Sequence, residues 1–148
     1  MTKRVLRVGL IALSVVAVAP LIWWMASALP DDLTADQVRD ADYLWAPPVL
    51  SAGQRHGIGI ASLFVVVLAA TVLVQGLRTD RFQPGWLRVV VPLAGVAAYA
   101  GVTYAVATEP VTGANIGGGL MILAGFVLVP TLLGFAIFAA VQLRRSAR

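Results

Sequence analysis

The charges of this chain are arranged in a way that few folds tolerate. Four long apolar stretches, at about 8–29, 58–77, 87–107 and 116–143, hold one charged residue among them, Arg88 at the edge of the third. The segments around them alternate in sign. Lys3, Arg4 and Arg7 precede the first stretch, Arg78, Arg81 and Arg88 surround the second connection, and Arg144, Arg145 and Arg148 follow the last. Six of the seven acids, Asp31, Asp32, Asp36, Asp40, Asp42 and Glu109, lie in the other two connections. Each stretch reaches the ~20 residues a helix needs to cross a bilayer core. The blocks lack the period-two alternation of barrel strands, which leaves helices as the way to satisfy the backbone in lipid. Basic residues in short loops stay on the cytoplasmic side. The expectation is an all-α membrane protein, a four-transmembrane-helix antiparallel bundle with N-terminus and C-terminus both inside, forming one domain over 1–148.

Composition agrees with that class. Hydrophobic residues make up 59% of the chain, above the ~45–50% of soluble domains, and charged residues only 12%. The net charge of +4 is spread over three juxtamembrane clusters. No continuous basic patch forms, so nucleic-acid binding is not expected and the bilayer is the natural partner of these charges. Without cysteine, disulfides, thiol redox chemistry and thiolate metal sites are excluded. The excess of Arg over Lys, with abundant Ala, Val and Gly, points to a GC-rich bacterial genome and a cell (inner or plasma) membrane. The first stretch also resembles a secretory signal, with a basic start and Ala26-Ser27-Ala28 as a small-x-small site. Its apolar block exceeds the usual 7–15 residues, and Trp23 and Trp24 stand where a retained helix has interfacial anchors. It reads as a retained span.

The first outside connection, 30–56, is long enough for structure of its own. Thr34-Ala35-Asp36-Gln37 matches a capping box. Val38, Ala41 and Trp45 then recur on one helical face before Pro47-Pro48, so a short amphipathic helix is expected there. The inside turn carries Pro84-Gly85 and the second outside turn Pro110 and Gly113. Turns this short make the second and third spans, and the third and fourth, antiparallel neighbours. Gly117-Gly118-Gly119 suggests a loosened entry to the fourth span. Pro20 and Pro130 remove hydrogen bonds to the carbonyls of Val16 and Phe126 and favour kinks.

Chemistry is sparse inside the spans. Intramembrane ionisable groups mark ion paths and proton relays, and no Asp, Glu, Lys, Arg or His lies inside the spans beyond Arg88 at the edge of the third. That argues against small multidrug transporters, which need an embedded acid, and helical b-type cytochromes, which need paired histidines. Vitamin K epoxide reductase-like enzymes need cysteines. No catalytic residue, metal ligand or cofactor is indicated, and five loop aspartates lack the spacing of a calcium loop. The outer face alone gathers polar candidates: Arg39, Asp42, Arg55, His56 and Glu109. Histidine beside carboxylates permits pH sensing or proton handling, whereas Arg55 and His56 also suit simple headgroup contact. Small residues mark helix packing, with Ala94, Ala98, Gly101 and Ala105 on the third span and Gly118, Gly125, Ala136 and Ala140 on the fourth. Thr71 and Gln75, one turn apart, suit a hydrogen bond across an interface. The leading expectation is a non-enzymatic accessory or scaffold subunit that binds a membrane-protein partner or a second copy. One alternative is a small transporter, channel or lipid-handling protein with a cavity at Thr71, Gln75, Tyr99, Thr103 and Thr131. Another is a membrane enzyme using Arg55, His56 and Glu109.

Overall fold

The computed structural model describes residues 3–27, 43–79, 84–110 and 115–146. Helix α1 spans Lys3–Ala26, α2 Ala52–Arg78, α3 Leu87–Ala107 and α4 Ile116–Ser146, with a 3₁₀ turn, Pro84–Trp86, leading into α3. No strand occurs among the described residues. All four helices are long and apolar enough to cross a membrane, as in a multi-pass membrane protein.

Helix α2 begins ahead of its apolar block because Ser51 caps it. The Ser51 hydroxyl accepts from the Gln54 amide N–H at 3.2 Å, and the Gln54 side chain accepts from the Ser51 N–H at 2.9 Å. This reciprocal pair satisfies two N–H groups that a helix start leaves open. Arg55 and His56 therefore belong to a helix and not to the connection before it. The other capping box, Thr34 to Gln37, and the face residues Val38 and Ala41 lie outside the described residues. The end of that segment departs from expectation, since 43–50 is non-helical and Trp45 does not continue a helix.

The glycine run is also regular. Asn115 caps α4 by accepting from Gly118 N–H at 2.7 Å, and the helix continues through Gly117, Gly118 and Gly119. Pro20, Pro92 and Pro130 all sit within helices that remain unbroken. Beside Pro130, the Thr131 hydroxyl donates to the Val127 carbonyl at 2.7 Å.

Packing order is the largest departure from the sequence expectation. Among the described residues, helix α2 packs on α1, α1 on α3, and α3 on α4, whereas α2 and α3 share no extended face. The four helices make an open row with α1 and α3 as the central pair. Two glycines explain why α1 inserts. A Cβ on Gly59 of α2 would stand 2.0 Å from the Trp24 ring, and one on Gly101 of α3 would stand 2.4 Å from the Ala19 carbonyl oxygen. Close approach at small residues is what drives helix association in lipid. The turn permits this order. The six steps from Arg78 to the 3₁₀ turn at Pro84 reach about 20–22 Å when extended, and two helix spacings need ~16–20 Å.

The α2 face toward α1 is Arg55, Gly59, Ser62, Ala69 and Gly76, all buried. Its steps of three, four and seven are those of a left-handed helix pair. On α4, Ala136 and Ala139 are buried while Phe126, Phe135 and Phe138 stand exposed. An apolar surface of this kind suits lipid as solvent.

Candidate functional site

The C-terminal end of α3 organises the site. A helix leaves its last carbonyls open, and here each finds a donor. Thr108 donates its hydroxyl to the Tyr104 carbonyl at 2.7 Å and to the Ala105 carbonyl at 3.2 Å. Asn115 donates Nδ2 to the Val106 carbonyl at 2.9 Å. The Trp45 backbone N–H donates to the Ala107 carbonyl at 3.0 Å. That last bond fixes the segment 43–50 over the end of α3, and Leu44 packs beside Gly118, where a Cβ would lie 2.9 Å from its Cδ2.

Beneath Trp45 lies a groove of about 590 Å³. Helix α3 forms its floor through Tyr99, Ala100, Thr103 and Tyr104, α1 supplies Ala19, Pro20 and Trp23 on one side, and α4 supplies Ile122, Gly125 and Val129 on the other. Among the described residues the helices stand in a row, so no helix covers the side opposite α3. The volume falls within the ~300–1,000 Å³ of small-molecule sites, and the walls are almost wholly apolar. Aromatic rings crowd its end. Tyr104 meets Trp23 edge-on and Trp45 at a tilt, each with centroids 6.1 Å apart. Such pairs add ~0.5–1.5 kcal/mol beyond their burial. The Tyr99 hydroxyl donates to the Met121 carbonyl, and its ring lies against Gly125. This bond ties α3 to α4 across the groove floor.

The structure divides the outer polar candidates. Arg39 and Asp42 lie outside the described residues. Arg55 is only 9% exposed, with its guanidinium carbon 5.8 Å from the centre of the Trp23 ring. A cation on a tryptophan face gains about 0.5–2 kcal/mol, more as water is excluded. Arg55 thus stands behind a wall residue of the groove. His56 is exposed on the first turns of α2, with Nδ1 2.8 Å from the Ala52 carbonyl oxygen and its ring 6.0 Å from Trp24. Glu109 is exposed past the end of α3. Among the described residues, no three His, Cys, Asp or Glu side chains gather as metal ligands would.

The small residues sit where helices meet. Gly101 and Ala105 are buried on α3, and Ala94 and Ala98 partly so. On α4, Gly118 and Ala136 are buried and Gly125 and Ala140 partly so. Of the five polar residues proposed to line a cavity, only Tyr99 and Thr103 reach the groove. Thr71, Gln75 and Thr131 are exposed, and Thr71 donates to its own helix at Val67, not across an interface. Sequence reasoning missed the meeting of Trp23, Trp45 and Tyr104, although clustered aromatics beside helix ends were the available cue. Compared with protein-family models, curated proteins and solved structures, the chain matches none.

Proposed function

We propose that this is a non-enzymatic, multi-pass protein of a bacterial cell membrane, with both termini cytoplasmic, that binds an amphiphile from the outer leaflet. The carrying observation is the groove. It is apolar, walled by three helices and capped by Trp45, and its length runs along the membrane-spanning part of α4. The sign alternation of the connecting segments supports the orientation, which puts the Trp45 end outside. Purification in mild detergent followed by native mass spectrometry tests the reading. One small amphiphile retained per chain is the expected result. An empty chain, or a stoichiometric protein companion with no bound amphiphile, would overturn it.

The second reading is the scaffold or accessory subunit. Its support is the outward face of α2, where Ile60, Phe64, Val67 and Val74 stand exposed on a helix whose packed face, among the described residues, is turned to α1. A partner span or a second copy would dock there. The same mass measurement separates the two, because a companion subunit appears as protein mass.

A further inference from the structure

Thr103 carries an inference about the guest itself, and it rests on the groove being a binding site. This side chain lines the groove and is 8% exposed, yet its hydroxyl has no hydrogen-bond partner. Thr71, Thr108 and Thr131 sit on or beside the same kind of helix, and each donates to the carbonyl one turn back. The hydroxyl oxygen is itself buried, a buried hydroxyl without an acceptor is costly, and rotation about χ1 moves it among staggered positions. We propose that the guest is an ester-linked phospholipid whose ester carbonyl accepts a hydrogen bond from Thr103 while its acyl chain fills the groove.

Depth supports this chemistry. Thr103 lies four residues from Ala107 at the end of α3, about 6 Å along the axis at 1.5 Å per residue. That is just beneath the interfacial layer marked by Trp23, Trp45 and Tyr104, where the glycerol esters of a bilayer lipid lie. Farther along α4, Ile122, Gly125 and Val129 offer no polar side chain, as an acyl chain requires. Arg55 lies buried behind the wall residue Trp23, and its positive charge favours a nearby anionic phosphate through space without touching it. Ester and chain thus meet Thr103 and Val129 in the order a phospholipid presents them, with the charge of Arg55 behind Trp23. An ether-linked phospholipid has the same shape but no carbonyl.

The test is a competition. Full-length protein is exchanged with an equimolar mixture of ester- and ether-linked phospholipids of identical headgroup and chain length, and bound lipid is counted by native mass spectrometry. The ester form is expected in about two- to tenfold excess, the worth of one hydrogen bond. Thr103→Val should retain both forms equally, and Thr103→Ser, which keeps the hydroxyl, should keep the preference. Ala100→Trp, at an exposed position of the groove floor, should lower binding of both. Equal binding of the two lipids by the wild type, still sensitive to A100W, would overturn the ester inference and leave the groove reading standing. Binding insensitive to A100W would overturn both. Loss of both lipids in folded T103V would assign Thr103 to packing and overturn the inference.

Discussion

Gly101→Ala isolates the contact on which the helix order depends. The added methyl would stand 2.4 Å from the Ala19 carbonyl oxygen, 3.0 Å from Ile22 Cβ and 3.2 Å from the Ala19 carbonyl carbon. The first distance is about 1 Å short of ordinary contact at 3.4 Å. Its obstacle is backbone, so no side-chain rotation relieves it, and α1 must back away from α3. A radial gap of ~0.5–1 Å forfeits about a quarter to a half of each dispersion contact along the seam. Overpacking of this kind typically costs ~1–3 kcal/mol, and a backbone obstacle places G101A toward the upper end. Replacing glycine by alanine within a helix gains about 1 kcal/mol by propensity, so a control is required. Gly134→Ala supplies it, since nothing lies within 4 Å of a Cβ there. Reversible unfolding in mixed micelles, titrated with a denaturing detergent, should show G101A destabilised by about 1–3 kcal/mol and G134A unchanged or more stable. Equal stabilities for G101A and G134A would refute the close approach of α1 and α3.

Tyr99→Phe removes the hydroxyl bond to the Met121 carbonyl and should cost ~0.6–2 kcal/mol in the same titration, with groove binding weakened because α3 and α4 lose a tie. Ser51→Ala deletes the capping box of α2 and should cost about 1 kcal/mol, whereas Ser51→Asp should retain most of that stability. Trp45→Ala removes the ring that caps the groove but keeps its backbone bond to Ala107. Limited proteolysis in nanodiscs should cut near 43–50 faster in W45A, and an unchanged cleavage rate would count against docking of that segment by the indole. Gly59→Val should expel the Trp24 ring from its seat, which a shift in tryptophan emission would report.

The number of spans was legible because bilayer thickness imposes a length, and the apolar blocks meet it. The faces of those spans were harder to read. In water a buried face is the apolar one, but lipid is as apolar as leucine, so hydrophobicity does not distinguish inward from outward. Helix α2 shows this plainly. Its outward Phe64 and Val67 are large and apolar, and its inward Gly59, Ser62, Ala69 and Gly76 differ from them chiefly in being small. Size was the usable signal, and it was read on the third and fourth spans but overlooked on the second. The capping box at Ser51 was equally available, since Gln54 stands three residues on, and it moves Arg55 from a loop to a helix face.

Helix order follows from pairwise fits that no single segment records. The short inside turn favours neighbouring spans on either side of it, yet the distance from Arg78 to Pro84 in the chain is enough to pass a third helix. What decides the matter is that α1 has a seat on each side, Trp24 on Gly59 and Ala19 on Gly101. A glycine in a sequence states that a close approach is possible but not what approaches. The groove is a consequence of that choice. With α1 between α2 and α3, the row stays open and α3 becomes a floor flanked by α1 and α4. Had α2 taken the place of α1 beside α3, Trp23 would not face Tyr104, and Arg55 would have no reason to lie behind the groove wall. The site is therefore a property of the packing order, and a substitution at Gly59, which carries no functional group and lies outside the groove lining, should disturb binding as much as substitutions within the groove.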